Sequence, residues 1–284
     1  MIRKVLSFMD LIWLLIKQLM DYIDRLALLL YSPSTNNGVV HLSFDDVWRS
    51  LEEISVDNSY NSIFDHKFFC ELKKLHENYG VVVSLFVLEN ESSYRISNVT
   101  SKFKEEFISN SNWLKFGYHG ISTDIIKNDY KQFKNSYLET IDSIKRFAGV
   151  GSLCNTIRLH GFYANSEIVK FLKSQDIRVL LCSDDRRINY DLNYEENISL
   201  FKKGYISHNE ISYLRTDLRL ERLLINRLYK KKVGRKDHMI TVFGHEKNFF
   251  FFEKKLKSLC KWFNANKYEF VFSILESGEI NGKN

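Results

Sequence analysis

The sequence predicts an α/β fold in which parallel strands, joined by helical crossovers, close as a barrel. Three observations predict it. Strand-like and helical patterns alternate about seven times after residue 38. Runs such as "VVVSLFVL" are continuously apolar, as strands buried on both faces are. Polar residues with hydrolytic chemistry collect where the strands end: Asp45 and Asp46, His119, Arg158 with His160, Asp184 and Asp185, and His245. In a barrel of this kind the C-terminal strand ends converge on one mouth.

The elements follow in order. Residues 1–31 read as a helix with one narrow polar stripe, because Asp10, Lys17, Asp21 and Asp24 recur at helical spacing. Its apolar run at 11–16 is far shorter than the roughly 20 residues a spanning helix needs. Asp10 also breaks the pattern of a secretory signal. The expectation is a helix docked on the body of the protein. A dimer contact and attachment at a membrane surface are the sharper readings. Residues 32–38, "SPSTNNG", read as a linker, so the chain divides into 1–37 and a barrel over 38–284. The strand "GVVHLSF" leads into Asp45 and Asp46. A helix with Phe64, Phe68, Leu72 and Leu75 on one stripe follows and ends near Gly80. "VVVSLFVL", a short helix at 101–109 and "WLKFGYHG" come next, then a long helix over 129–148 that stops at Gly149. "TIRLHGF" reads as a strand, "SEIVKFLKSQD" as a helix opened by a serine cap, and "IRVLLCSDD" as a strand. Residues 186–216 carry little periodicity. A basic helix at 217–230, the strand "MITVFGH", an aromatic helix at 249–264 and the strand "EFVFSIL" complete the chain.

The 284 residues suffice for one large α/β domain or two small ones. A net charge of +6 is too mild to argue for nucleic acid, and no zinc-finger or RNA-binding signature appears. The four cysteines, Cys70, Cys154, Cys182 and Cys260, lack CxxC spacing and read as reduced thiols in a cytoplasmic protein. The stretch "RLYKKKVGRK" at 227–236 is the most basic in the chain. Such a run is usually a solvated face. With residues 1–31 it also fits peripheral contact with an anionic surface, at the inner face of a membrane.

Taken alone, two adjacent aspartates at a strand end are a solvated terminus. Together with "GYHGIST", "IRLHGF", "CSDD" and "VFGHE", in that order, "SFDDV" resembles the polysaccharide deacetylase family, the NodB-homology carbohydrate esterases. The resemblance spans roughly residues 38 to 275. It implies a distorted (β/α)7 barrel, here with an extra N-terminal amphipathic helix, and metal-dependent removal of an acetyl group from an N-acetylated saccharide, with a lipid-linked one among the candidates, in surface-polysaccharide or glycolipid assembly. By the same resemblance Asp45 is the general base, Asp46 and His119 are metal ligands, Arg158 holds the base, Asp184 or Asp185 braces the arginine, and His245 is the general acid.

Two departures stand out. The family's second metal histidine falls on Thr123, and its Arg-x-Pro becomes Arg158-Leu159-His160, the single proline of the chain being Pro33. His160, Asp124 or a water are the candidates for the missing ligand. The expected ion is Zn2+, with Co2+, Ni2+ and Mn2+ also compatible with Asp/His donors. A barrel that binds glycan without hydrolysis, and an interaction protein working through its N-terminal helix, are the competing readings.

Overall fold

The computed structural model describes residues 8–30, 38–123, 129–222 and 239–272. Helix α1 (Phe8–Leu30) precedes strand β1 (Gly38–Val47), α2 (Arg49–Val56) and α3 (Lys67–Tyr79). Strand β2 (Val83–Leu88) leads to a small hairpin, β3 (Asn90–Glu91) and β4 (Tyr94–Arg95), and to α4 (Lys104–Ser109). Strand β5 (Leu114–Gly120), α5 (Tyr130–Ala148), β6 (Thr156–Ile157), α6 (Ser166–Ser174), β7 (Val179–Cys182) and α7 (Tyr194–Lys203) follow. The hairpin β8 (Tyr205–His208) and β9 (Ile211–Arg215), then β10 (Leu218–Arg219), β11 (Met239–His245), α8 (Phe249–Ala265) and β12 (Tyr268–Phe270) end the described chain.

Strand pairing closes these elements into a distorted barrel. β10, β11, β1, β2 and β5 run parallel in one sheet, and β6, β7 and β9 in another. Two seams join them. Cys154 N–H donates to the Phe116 carbonyl of β5 at 2.8 Å, just before β6. On the other side the chain leaves β9 through Thr216 and Asp217 and becomes β10, which pairs with β11. The staves are therefore β1, β2, β5, β6, β7, β9–β10 and β11. β12 pairs with the first residues of β1 below the start of β2. β1 is buried almost throughout, including both aspartates, because helices and the barrel interior cover its two faces.

Local sequence explains most boundaries. Gly80 ends α3 in the left-handed region, with φ of 67°. Asp129 caps α5, accepting from Gln132 N–H at 2.7 Å. The cap of α6 is Asn165, one residue before the expected serine. Residues 186–216, without readable periodicity, hold α7 and the β8–β9 hairpin. Their signals were short: the Asn193 to Glu196 capping box, and Asn209 and Glu210, both at positive φ, in a two-residue turn. The expected helix at 217–230 begins instead as strand β10, whose Leu218 is buried beside Val242. Leu220 to Arg222 form a turn, and residues 223–230 of that helix, the basic stretch 227–236 and Asp124 lie outside the described residues. "TIRLHGF" is a strand only at Thr156 and Ile157, then turns at His160 to Phe162 around Gly161, at φ of 68°.

Glu246 joins the end of β11 to the start of α2. Its carboxylate accepts from the backbone N–H of Trp48, Arg49 and Ser50 at 2.8 to 2.9 Å. A buried anion there satisfies unpaired donors of the first turn and complements the helix dipole. Glu246→Gln should cost about 1–3 kcal/mol of stability, measured by urea unfolding; an unchanged midpoint would refute the role.

His41, in the middle of β1, is fully buried, and its pKa is lowered to about 4, first by burial and then by the Arg158 charge. Above pH 6.5 the ring is neutral folded or unfolded. Between pH 6.5 and about 4 only the unfolded chain takes up the proton, so this share of stability drains away as pH falls through that window. The full loss is about 3 kcal/mol. Thermal melts across that range should fall more steeply for the wild type than for His41→Gln; parallel curves would refute this.

Candidate metal centre and active site

Two β-bulges build the mouth, and both oppose β2. Between Phe44 and Val47, β1 carries one residue more than its partner segment, and Asp46 adopts φ of 53°. Between Tyr118 and Gly120, β5 likewise carries one more, which is His119. A regular strand would send Asp45 and Asp46 to opposite faces. The bulge breaks that alternation, as bulges beside functional sites commonly do.

Asp46, His119 and His160 converge. The distances His119 Nε2 to Asp46 Oδ1, His160 Nδ1 to Asp46 Oδ1, and His160 Nδ1 to His119 Nε2 are each 3.3 Å. Ligand atoms arranged tetrahedrally about 2.0–2.1 Å from one ion stand about 3.3 Å apart. Two further observations fit a cation. Asp46 Oδ1 is buried and has no hydrogen-bond partner among the described residues. His119 Nδ1–H donates to the Arg158 carbonyl at 2.6 Å, so its Nε2 presents a lone pair to the cluster. Among the described residues this is the group of three side chains suited to a metal. His160 can come so close because Gly120 is a glycine: a Cβ there would stand 3.1 Å from the His160 Cβ.

Burial works against ionisation of Asp46, but the close approach of the His119 and His160 rings and the charges of His119 and His245 hold its carboxyl well below the usual range. Burial lowers the His119 pKa, yet Asp45 and Asp46 outweigh it and raise the value. Lys247 Nζ lies 3.6 Å from Asp46 Oδ2.

Arg158 is fully buried. Its guanidinium donates to Asp45 Oδ1 at 2.8 Å, Ser43 Oγ at 3.0 Å and Thr216 Oγ1 at 3.1 Å, and lies 4.3 Å above the Phe243 ring. Asp184 and Asp185, expected to brace it, pair instead with Arg222 and Arg187, at 2.8 and 2.7 Å. They sit on the loop after β7, whereas the guanidinium points inward at β1; Thr216 takes the bracing position.

His245 lies directly beside Asp45 in the parallel register of β1 and β11. Its Nδ1–H donates to Glu221 Oε1 at 2.9 Å, and the same oxygen accepts His245 N–H at 2.6 Å. That leaves Nε2 available for proton transfer. Burial raises the Glu221 pKa, but the bonds to His245 and its charge bring it below its usual value. Glu221, Lys247, Ser43 and Thr216 were not foreseen. Glu221 follows a two-residue strand in a weakly patterned region, and no local signal marks it. Thr123, at the position of the missing histidine, is tied to Glu91 through its N–H and hydroxyl, at 3.0 and 2.8 Å. It does not cap the next helix, which Asp129 does.

No family model and no curated protein matches the chain. Solved structures do. A CE4 esterase from Streptococcus mutans aligns at 12% identity and a TM-score of 0.49, over 88% of this chain and 90% of that one. A peptidoglycan N-acetylglucosamine deacetylase aligns at 15% and 0.49, over 85% and 88%. Peptidoglycan deacetylase PdaC from Bacillus subtilis aligns at 12% and 0.48, over 87% and 94%. The chain is thus similar to CE4 esterases and polysaccharide deacetylases. These likenesses are distant, and strand order and register define the fold independently of them.

Removing Arg158 should strand the Asp45 carboxylate in the barrel. Arg158→Met is expected to cost about 3–5 kcal/mol, and Asp45→Asn in the same chain to restore part of it. Chemical unfolding of the two single variants and the double variant checks the coupling; strict additivity would contradict it.

Proposed function

We propose that this protein is a metal-dependent hydrolase that removes the acetyl group from an N-acetylated saccharide. The observation that carries the reading is the Asp46, His119 and His160 triangle, flanked by an arginine-held aspartate and a glutamate-held histidine. The motif resemblance adds the substrate class. A divalent cation held by those three residues, zinc first and cobalt, nickel or manganese as alternatives, would polarise the amide carbonyl and make water more acidic.

The remaining work falls to the chain. Arg158 fixes Asp45 in place, so Asp45 can accept a proton from the attacking water. Glu221 sets the His245 tautomer, and His245 protonates the departing nitrogen as the carbon–nitrogen bond breaks. The products are acetate and the free amine. His160 supplies the nitrogen that Thr123 cannot, which favours catalysis over a barrel that only binds glycan; Thr123 is the observation on the other side.

We place the activity inside the cell, at the inner face of the membrane, in the assembly of a surface polysaccharide or glycolipid with a lipid-linked substrate. The unbridged state of all four cysteines supports the compartment.

Metal content of purified protein, before and after incubation with zinc, cobalt or nickel, tests the site. Near-stoichiometric metal is expected in the wild type, with loss in Asp46→Asn and in His160→Ala. Asp45→Asn should keep its metal while acetate release from N-acetylglucosamine oligomers falls about 10²–10⁴-fold. A wild type that takes up none of these metals would defeat the hydrolase reading and leave the glycan-binding barrel.

A further inference from the structure

Helix α1 docks the wrong way round for an ordinary surface helix. Its polar stripe faces the protein. Asp24 is 0% exposed and accepts from Lys255 Nζ of α8 at 3.0 Å, and Lys255 also donates to the Arg222 carbonyl at 3.1 Å. Asp21 is buried as well, paired with Arg25 at 2.9 Å. The opposite face is apolar and uncovered by the described residues. Leu19 is 58% exposed, and Leu15, Ile16, Tyr22, Ile23 and Leu26 are exposed too; Trp13, one turn before Lys17 on the stripe side, is also 58% exposed. Phe250 and Phe251 of α8 are also exposed. Scattered surface leucines are ordinary; a whole helix face of them marks an interaction surface. Breaking the buried Asp24–Lys255 pair would leave an uncompensated charge, so the helix cannot simply roll over.

We propose that this face inserts into the headgroup region of a bilayer rich in anionic lipid. The rim of the patch selects that occupant. Lys17 Nζ lies 4.5 Å from the Phe251 ring centre and 5.9 Å from that of Trp13. The Arg25 guanidinium is 5.8 Å from Tyr22, and Lys67 Nζ 4.2 Å from Phe250. Arg25 is also paired with Asp21, and Lys67 with Glu253 at 3.7 Å. Aromatic rings carrying cations on their faces suit the interface, where rings sit at headgroup depth and cations reach phosphates. At about 1.5 Å per residue the helix is roughly 35 Å long. None of the described helices is long and apolar enough to cross a membrane, so α1 would lie in the interface plane. Its inner face lines a small cavity together with Glu221, the partner of His245. On the saccharide hydrolase reading, that sets the His245 side of the mouth beside the bilayer, within reach of a lipid-anchored substrate.

Flotation of the full chain with vesicles, without metal or substrate, tests the surface independently of catalysis. The vesicles are phosphatidylcholine alone, or with about a third phosphatidylglycerol. Wild type should float with the anionic vesicles and less with the neutral ones. Leu15→Glu with Leu19→Glu should reduce flotation by about tenfold or more. Both side chains point outward, so the thermal melt of this variant should match the wild type. Val56→Glu, at a still more exposed position on α2, should float as the wild type does. Wild type that stays down with both vesicles overturns the proposal, as does undiminished flotation of the double variant. So would a wild-type dimer in size-exclusion chromatography that stays down and that the double variant separates, since the face would then be a protein interface.

Discussion

The buried guanidinium of Arg158 is the interaction on which the rest of the mouth depends. Its side chain ties Ser43 and Asp45 of β1 to Thr216 at the β9–β10 junction, and it rests on Phe243 of β11. Its carbonyl fixes the His119 ring on β5. One residue at the end of β6 thus contacts four other staves. A fully buried cation must be neutralised and hydrogen-bonded, and doing so here orients both a candidate base and a candidate metal ligand.

Around that hub the barrel departs from regularity where chemistry needs it. The two bulges against β2 turn Asp46 and His119 toward the mouth, and Gly120 lets His160 approach them. The positive φ of Asp46 carries a local conformational cost that the surrounding strand pairing sustains. His160 stands two residues after the arginine, where the polypeptide turns out of β6 around Gly161, and there it meets Asp46 and His119. Thr123 turns instead to Glu91 of the small hairpin.

Helix α1 shows the limit of reasoning from amphipathicity. A polar stripe on a helix of this kind reads as its solvent side. Here the stripe carries Asp24, and the body offers Lys255 as its buried partner, so the stripe faces inward and the apolar side outward. Helical periodicity reveals that two faces exist. Which one meets the protein depends on a residue 231 positions away.

By itself the sequence determined the alternation of strands and helices, the buried character of the strands, and the placing of Asp45, Asp46, His119, Arg158, His160 and His245 at strand ends. These properties are local: continuous apolar runs bury strands, and strand polarity sends their C-terminal ends to one mouth. Tertiary structure alone decided which of those residues meet. It showed that β9 and β10, in a stretch without periodicity, supply a stave, that Thr216 rather than Asp184 or Asp185 holds Arg158, and that Glu221 holds His245. It also placed Glu246 as the cap of a helix nearly 200 residues earlier in the chain. Partner choice of this kind depends on register, bulges and the closing of the barrel. They are set by packing between distant segments, and no short window of sequence contains them.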